Sequence, residues 1–375
     1  MIDLLKIRKQ IDTIDDEIVS LFEQRMGLTE EVAEFKIATG KPVFDKDREV
    51  EKLKKLMSES STDFNERGVQ ELFSQIMSIS RKRQYQLLTK KGIKGEETFA
   101  QVDSLDTKDC KVVFQGMEGA YTFAAVSTFF GEDIDSVNVE TWKEAMEYIK
   151  DEKADYAVLP IENSTAGVVT DIYDLLIEYQ YSIVGEQIIK IEHALLAPMG
   201  ATLSDIKRVY SHPQGLMQCK DYLESHNGWQ TKERLNTAFA AKKVKEDNDK
   251  SQAAIASVHA AEHFGLQVLD KGFHGETNET RFIIISKQKI YTKKARKITI
   301  CFELPHESGT LYNMLSHFIY NGLSMTKIES RPIKGRNWEY RFFVDFEGRL
   351  DEGAVQNALR GIAQEASQLV VLGNY

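Results

Sequence analysis

The chain has 375 residues, of which 42% are hydrophobic and 28% charged, and its formal net charge is -10. This composition is typical of a globular protein of two or three domains, and the acidic balance gives no sign of a nucleic-acid partner. No stretch approaches the roughly 20 apolar residues of a membrane span. The first ten residues lack a signal-peptide core, and the three cysteines fit neither a metal motif nor a disulfide framework. We therefore expect a reduced, cytoplasmic protein.

The hydrophobic pattern divides the chain into three parts. The first is helical apart from a break near residues 40–42, the second alternates short apolar strands with helices, and the third predicts the order βαββαβ. We expect a multidomain protein with an all-α domain, an α/β domain and an α+β domain. The expected bounds are 1–90 for the helical domain, 91–108 for a linker, 109–288 for the α/β domain and 297–375 for the α+β domain.

The first helix carries an apolar stripe at heptad spacing from Leu4 to Phe35, which indicates a helical partner. Arg25 interrupts this stripe, and Ser80 and Gln84 fall on the inward stripe of the third helix. Buried polar groups need partners. Each residue alone fits a structural pairing, Arg25 with a buried glutamate and the other two with each other. Together they predict a pocket for a small polyanion, because arginine binds both oxygens of a carboxylate.

Two further cations, Arg8 and Lys36, flank the same stripe. On one straight helix they lie about 42 Å apart at ~1.5 Å per residue, too far to share a small-molecule site. If both belong to the site, Arg8 comes from a second chain that runs antiparallel. The spacing thus leads to the hypothesis of a homodimer with two shared sites.

These residues resemble the site pattern of the all-helical chorismate mutase family, over the whole segment. The resemblance implies rearrangement of chorismate to prephenate without a cofactor, by holding the dianion in a folded shape. It implies that arginines bind the two carboxylates, that Lys36 and Gln84 bind the ether oxygen, and that Glu49 holds the hydroxyl. A mutase segment that survives only as a dimerisation scaffold is the alternative. The implied catalytic residues are Arg8, Arg25, Lys36, Asp45, Arg48, Glu49, Ser80 and Gln84.

In the α/β part, polar clusters follow several predicted strands, among them residues 116–122. Ligands in such folds bind outside the carboxyl ends of strands, where helix N-termini offer free N–H donors. Ser164, Ser211 and Asn236 also fit ordinary helix N-caps. The clusters favour an anion-binding cleft only modestly.

The histidines of this part give no metal signal. His259 and His263 have a spacing that suits metal ligands, but no third ligand is evident, so we interpret them as a plain helix face. His212 fits an acid–base group or a structural histidine equally well. The sequence predicts no metal and no cofactor.

Five runs of this part, 116–122, 159–164, 211–214, 236–238 and 280–282, are together similar to prephenate dehydratase, with Thr280-Arg-Phe282 as its signature. The resemblance implies two α/β lobes around a cleft, as in periplasmic binding proteins, and loss of carbon dioxide and water to leave phenylpyruvate. It implies that Thr280 is catalytic. A threonine hydroxyl is a weak acid, so we interpret Thr280 as a hydrogen-bond donor or proton relay; a strand-edge threonine is the alternative. The implied substrate-binding residues are Asn163, Ser164, Thr165, Ser211, His212, Gln214, Asn236, Thr237, Arg281 and Phe282.

The C-terminal part has no conspicuous acid–base cluster, which indicates binding rather than chemistry. It resembles the ACT domain, an amino-acid-sensing module. The run 329–332 matches a motif of phenylalanine-regulated dehydratases, whereas 309–311 reads Gly-Thr-Leu where the family has Gly-Ala-Leu. A purely structural dimerisation module is the alternative. The implied effector-binding residues are Gly309, Thr310, Leu311, Glu329, Ser330 and Arg331.

The order of the three parts resembles the bifunctional chorismate mutase–prephenate dehydratase family. The resemblance implies phenylalanine biosynthesis with feedback inhibition by L-phenylalanine. It also implies chorismate, prephenate and L-phenylalanine as ligands, a homodimer, and neither nucleic-acid nor membrane partners. The competing interpretation is a non-enzymatic small-ligand receptor, which the missing signal peptide weakens. A measurement of catalytic turnover distinguishes an enzyme from such a receptor.

Overall fold

The computed structural model describes residues 3–93, 99–273, 278–307 and 309–375. The chain forms two compact units. One unit combines the two ends of the chain, Met1–Thr98 and Ala295–Val371. The other contains Phe99–Lys294 and the last residues, Leu372–Tyr375.

Three helices form the N-terminal region: α1 (Leu4–Thr39), α2 (Lys46–Ser58) and α3 (Asp63–Lys90). Asp3 caps the start of α1, where its carboxylate accepts from two backbone N–H groups, and Gly40 caps its end in the left-handed conformation. The predicted break near residues 40–42 is confirmed. A second break separates α2 from α3, the predicted third helix, where the Thr62 side chain caps the new helix.

The second unit is α/β. Its described strands are β1 (Ala100–Val102), β2 (Lys111–Gln115), β3 (Asp135–Val139), β4 (Tyr156–Asn163), β5 (Gly167–Val168), β6 (Ser182–Lys190), β7 (His193–Ala197), β8 (Arg208–Ser211), β9 (Gln230–Glu233), β10 (Gln252–Ser257), β11 (Gln267–Lys271), β12 (Glu279–Ser286) and β13 (Ile290–Thr292). Its described α-helices are α4 (Tyr121–Phe130), α5 (Trp142–Lys150), α6 (Thr170–Tyr179), α7 (Pro213–Gln218), α8 (Lys220–Ser225), α9 (Thr237–Asp247) and α10 (Val258–Phe264).

Ten of these strands build two sheets, in the orders β3-β2-β4-β12-β6 and β11-β7-β10-β8-β9, and β5 pairs with β4. Each sheet has its own apolar core, one around Phe114 and Ile284 and the other around Leu196 and Ala254. The chain enters the second sheet after β6 and returns to the first with β12. The two sheets agree with the predicted two-lobed α/β region.

The segments predicted as connections carry two short strands. In β1 and β13, Ala100 pairs with Ile290 in a parallel register. Residues 94–98 of the predicted linker lie outside the described residues. The polar composition of both segments hid these strands, since neither has an apolar alternation.

The C-terminal region has the predicted βαββαβ order: β14 (Lys297–Glu303), α11 (Thr310–Tyr320), β15 (Met325–Pro332), β16 (Tyr340–Glu347), α12 (Gly353–Glu365) and β17 (Gln368–Asn374). The strand order β15-β16-β14-β17 leaves β15 at an edge. The motif at 329–332, expected after this strand, is part of it. An edge strand tolerates Pro332 because the missing N–H removes no essential ladder bond.

Within the first unit, α3 packs against α11 and α12. Tyr85 is completely buried there, and its hydroxyl donates to Gln364 Oε1 at 3.0 Å. The buried ring of His317 fills the space beside Gly361, where any Cβ atom would collide with it. Glycine at this position therefore lets α11 and α12 approach each other.

Two candidate active sites

The first candidate site lies where α1 meets α3. Arg25 Nη1 donates to Ser80 Oγ, and Gln84 Nε2 donates to the Ser80 carbonyl oxygen at 3.3 Å. Ser80 and Gln84 are both buried. Among the described residues, Gln84 Oε1 has no hydrogen-bond partner. A buried amide with an unused acceptor is uncommon in a structural core, and it marks a polar pocket.

The same pocket concentrates positive charge. Lys36 Nζ donates to the Val43 carbonyl oxygen at 2.6 Å. Burial lowers the pKa of Lys36, and the carboxylates of Asp45 and Glu49 oppose this effect only in part. Burial also lowers the pKa of Arg25, again against the charge of Glu49. Cations desolvated in this way gain most from an added anion.

One predicted site residue, Arg8, does not converge with the others in one chain, whereas Arg48 lies close enough to Lys36 to lower its pKa. Arg8 is exposed, and within the described part of the chain its side chain has no polar partner. Arg48 is exposed too, one turn after Asp45, whose side chain caps α2. Along the Arg8 half of α1, Ile11 is 50% and Ile14 is 55% exposed. The part of α1 that carries Arg8 thus presents its apolar stripe to solvent.

The sequence pattern does not single out Arg81, a buried arginine beside this pocket. Arg81 forms ion pairs with Glu49 and with Glu365 on α12, the latter at 2.9 Å between Nε and Oε1. Burial disfavours its charge, but Glu365 and Glu49 together raise the pKa of Arg81 above its ordinary value. No local signal predicts this cluster, because Glu365 lies 284 positions away along the chain.

The second candidate site surrounds Thr280, near the start of β12. Thr280 and Asn163 are register partners on β12 and β4. Asn163 Nδ2 donates to Thr280 Oγ1 at 2.9 Å and to Asn278 Oδ1 at 2.7 Å. Ser164 belongs to the same cluster of residues around Thr280, the Thr280 corner, since its hydroxyl accepts from the Glu279 N–H at 2.9 Å.

A chain of hydrogen bonds connects this corner to the second lobe. The Thr165 hydroxyl donates to Asn163 Oδ1 at 2.8 Å and accepts from Gln218 Nε2 at 3.0 Å. Gln218 Oε1 in turn lies 3.0 Å from Nε2 of the buried His193. Each residue in this chain donates a hydrogen bond to the next, in the order His193, Gln218, Thr165, Asn163 and Thr280. In such an arrangement each hydrogen bond polarises the next.

Gln218 and His193 are therefore site residues that sequence reasoning misses. Gln218 ends α7, four residues after the predicted Gln214. Its place shortly after the predicted residues Ser211, His212 and Gln214 is the one available signal, whereas His193 at the start of β7 gives none.

Arg281 faces away from Thr280, because successive residues of a strand point to opposite sides of the sheet. It lies 3.5 Å from Glu162 and 3.5 Å from Glu186, and its side chain is 12% exposed. Phe282 is buried in the core of the first lobe. In this structure the signature motif thus presents one reactive group, Thr280, and two groups that fix the strand.

The remaining predicted dehydratase residues take local roles in the second lobe. Ser211 is completely buried and donates to the Ile255 carbonyl oxygen at 2.7 Å. His212 caps α7 and Asn236 caps α9, so the N-cap interpretation is confirmed for Asn236 and is wrong for Ser164 and Ser211, neither of which caps a described helix. Gln214 and Thr237 follow these caps and are half-buried.

The predicted effector residues lie on two elements. Gly309 caps α11 in the left-handed conformation, and the Thr310 hydroxyl donates to the Glu307 carbonyl oxygen at 2.9 Å. Leu311 packs on the core of the region. On the edge strand β15, Ser330 is exposed, and Glu329 and Arg331 are half-buried.

Two further features concern the described residues alone. Within them, no group of three or more His, Cys, Asp or Glu side chains has the arrangement of a metal site; His263, on α10, lies 3.3 Å from Glu118. None of the helices in these ranges has the length and hydrophobicity of a membrane span.

Comparison with known proteins assigns the two regions that carry these candidate sites to two different families. The chorismate mutase type II family model matches residues 7–85, and the prephenate dehydratase family model matches residues 112–290. A bifunctional chorismate mutase/prephenate dehydratase of Enterobacter agglomerans is 31% identical over 99% of this chain and 95% of its own length.

Two of the solved structures that resemble this chain each cover 71% of it. A prephenate dehydratase from Arthrobacter aurescens, in complex with L-Phe, is 30% identical with a TM-score of 0.65, over 71% of this chain and 89% of its own. GqqA, described as a novel type of quorum quenching acylase, is 31% identical with a TM-score of 0.66, over 71% of this chain and 97% of its own.

A helical region and an α/β region that match different enzyme families define a bifunctional enzyme. The chain belongs to the bifunctional chorismate mutase/prephenate dehydratase family. It is an isomerase that converts chorismate to prephenate and a lyase that dehydrates prephenate, in phenylalanine biosynthesis.

Proposed function

We propose that the α1–α3 pocket is the mutase site and acts without covalent chemistry. Arg25 and Arg48 bind the carboxylates of chorismate together with the partner subunit's Arg8. Lys36 and Gln84 donate to the ether oxygen, where negative charge grows as the C–O bond breaks. The observation that carries this assignment is the pair of half-buried cations, Arg25 and Lys36, whose pKa values burial lowers.

Three further groups complete this pocket. Glu49 accepts a hydrogen bond from the substrate hydroxyl. Asp45 fixes the start of α2, and Ser80 holds the Arg25 guanidinium. The pocket binds the extended dianion in its folded, reactive shape, which lowers the entropic part of the barrier.

The Thr280 corner is the dehydratase site. Because Thr280 Oγ1 accepts from Asn163, its own proton remains available for the departing ring hydroxyl. The electron pair of the bond to the ring carboxylate aromatises the ring as carbon dioxide leaves, and the hydroxyl departs as water after receiving one proton. Thr280 donates that hydrogen bond or relays the proton, since its hydroxyl is too weak an acid to be the ultimate source.

The substrate lies between the lobes, against Asn163, Ser164 and Thr165 of the first lobe. From the second lobe, helix starts near Ser211 and Asn236 present N–H groups to its carboxylates. The residues that complete the substrate-binding set are His212, Gln214, Thr237, Arg281 and Phe282. Arg281 acts there through strand β12, which its two carboxylate contacts hold in place.

Substitutions that each remove one of the two activities test the assignments of the mutase site and the dehydratase site in the same protein. The substitution Thr280→Ala is expected to nearly abolish dehydration of prephenate and to leave mutase turnover unchanged. Arg25→Ala is expected to have the reverse effect. Normal dehydratase turnover in Thr280→Ala would refute the role of Thr280, and loss of both activities in either variant would refute two independent sites.

The protein acts as a homodimer in which α1 of each chain completes the other chain's mutase site. The exposed stripe of α1, with Ile7 and Ile14 among its members, supports this arrangement, as does the isolation of Arg8. Mixing inactive Arg8→Ala and Arg25→Ala enzymes tests it. Heterodimers carry one intact site, so random mixing restores about one quarter of the wild-type mutase activity. No recovery after subunit exchange would exclude shared sites.

The C-terminal region is an ACT module that binds L-phenylalanine and inhibits the enzyme by feedback. The βαββαβ order and the motif on the open edge strand β15 support this role. Inhibition requires phenylalanine to bind two states of the protein with different affinity. The effector-binding residues are Gly309, Thr310, Leu311, Glu329, Ser330 and Arg331. Titration calorimetry with Glu329→Ala tests the site, and wild-type affinity in that variant would exclude it.

The domain bounds belong to the same proposal: 1–90 for the mutase, 91–108 for a linker, 109–288 for the dehydratase and 297–375 for the ACT module. Buried, unpaired cysteines are consistent with a reduced, cytoplasmic protein.

A further inference from the structure

The pocket assigned to the mutase does not rest on the three N-terminal helices alone. The last turn of α12, in the C-terminal region, touches it through two adjacent side chains, Gln364 and Glu365. Gln364 Oε1 accepts from the Phe44 backbone N–H at 2.9 Å and from the Tyr85 hydroxyl at 3.0 Å. Phe44 directly precedes Asp45, and Tyr85 directly follows Gln84.

The second contact is ionic and buried. Glu365 Oε1 accepts from Arg81 Nε at 2.9 Å, and the same guanidinium forms an ion pair with Glu49. Arg81 is 6% exposed, and its guanidinium lies 4.8 Å from the centre of the Phe44 ring. One arginine thus joins a carboxylate of α12 to a carboxylate of the pocket.

The charges around Glu365 keep it ionised. Burial by itself raises the pKa of Glu365, but His317, whose Nε2 lies 3.2 Å from Glu365 Oε1, and the charge of Arg81 outweigh burial and lower it to about 2. Glu365 is therefore a fixed anion near neutral pH. A fixed anion on a buried helix end holds the planar guanidinium in one orientation, because arginine's fork binds carboxylates directionally.

We propose that Arg81 and Glu365 are positioning residues of the mutase: Glu365 orients Arg81, and Arg81 orients the Glu49 carboxylate toward the substrate hydroxyl. This inference rests on the role proposed above for Glu49. It makes the C-terminal region a structural part of the mutase site. Loss of Glu365 leaves Arg81 free to turn fully toward Glu49 and to withdraw that carboxylate from the pocket.

The test uses Glu365→Gln in the full-length chain, with mutase kcat and KM measured separately. We expect kcat/KM to fall about tenfold, within the range that such indirect couplings reach. Dehydratase turnover on prephenate serves as an internal control and is expected to stay unchanged. The matched control is Glu30→Gln, which removes an exposed carboxylate that pairs with Arg83 on the same helix α3; it is expected to leave the mutase unchanged.

The double variant Glu49→Gln/Glu365→Gln separates positioning from a general loss of stability. If Glu365 acts through Glu49, the second substitution adds less than about twofold to the effect of Glu49→Gln. Independent, multiplicative losses would overturn the proposal, and so would wild-type kcat/KM in Glu365→Gln.

Two further results complete the test. Should Glu365→Gln fold poorly, as judged by thermal unfolding, Arg81→Lys replaces it. That variant retains the buried charge but loses the fork, so we expect a comparable tenfold loss of mutase kcat/KM, and full activity would overturn the proposal.

An unimpaired Glu49→Gln enzyme would refute the Glu49 assignment itself, and this inference with it. An impaired Glu49→Gln enzyme beside an unimpaired Glu365→Gln enzyme would refute only this inference.

Discussion

Asn163 Nδ2 donates to Thr280 Oγ1 at 2.9 Å, and this direction decides what the threonine can do. An oxygen that already accepts from an amide has its own proton free for another acceptor. The amide is itself oriented, since its oxygen accepts from the N–H and the hydroxyl of Thr165. The protein therefore holds Thr280 as a donor before any substrate arrives.

The substitution Asn163→Asp tests this direction. Aspartate retains the acceptor oxygen but replaces the amide donor by a second acceptor oxygen, which captures the Thr280 proton. We expect dehydratase kcat to fall about 10²–10³-fold, as when one oriented donor is lost from an active site, and mutase kinetics to stay unchanged. Retention of more than a tenth of the dehydratase kcat would show that the orientation of Thr280 is unimportant.

The residue type at position 84 predicts how mutase activity depends on pH. A glutamine does not titrate, so mutase activity is expected to persist above neutral pH. It declines on the alkaline side when Lys36 loses its proton, and this occurs below the ordinary lysine pKa because burial lowers the pKa of Lys36. In Gln84→Glu the carboxyl must be protonated to donate, so its activity rises toward acid pH. Identical pH–rate profiles for the two enzymes would remove Gln84 from the site.

The buried side chain of Lys82 predicts how the stability of the folded protein depends on pH. Burial lowers the pKa of Lys82, which is 3% exposed, to about 8. The unfolded chain, with a lysine pKa near 10.4, then binds more protons above about pH 8, so stability rises with pH in this window. We expect Lys82→Met to stabilise the protein near pH 7 by about 1–2 kcal/mol, since hydrogen bonds from the ammonium to Ser78 and Ser316 offset part of the penalty of burial.

The gain from Lys82→Met is expected to disappear above about pH 10.5, where both states bind no proton at this position. Thermal unfolding at several pH values measures it. The exposed Lys90 on the same helix is the control, and Lys90→Met is expected to have no effect. A pH-independent difference for Lys82→Met would contradict the assignment to its charge.

The exposed apolar stripe of α1 predicts that a charge placed on it prevents formation of the homodimer. A charge at Ile14, which is 55% exposed in one chain, disfavours burial against a second chain. We expect Ile14→Lys to sediment as a monomer and to lose mutase activity about 10²-fold, because the partner subunit's Arg8 leaves the site. Dehydratase activity is expected to remain. A fully active monomeric mutase would contradict the shared site.

Much of this architecture follows from local pattern. The heptad stripe and the break at Gly40 predict α1, and alternating strands and helices predict the α/β region. The contact of Asn163 with Thr280 needs only the two motifs to lie on neighbouring strands in register.

The missing parts depend on tertiary contacts that leave no local trace. Arg81 and Glu365 are unremarkable in sequence until α3 and α12 pack together, which buries both charges at once. Gln218 reaches Thr165 only because α7 of the second lobe approaches the first. Arg281 is predicted to bind substrate from its place in a motif, but strand alternation turns it toward Glu162 and Glu186.

The most direct test gives the purified full-length protein chorismate alone and identifies the products by chromatography, with and without phenylalanine. Two active sites on one chain predict phenylpyruvate as the final product, with less of it when phenylalanine is present. In Thr280→Ala, prephenate is expected to accumulate instead. Chorismate that disappears no faster than by its spontaneous decay would contradict the mutase site, and with it the central account of this enzyme.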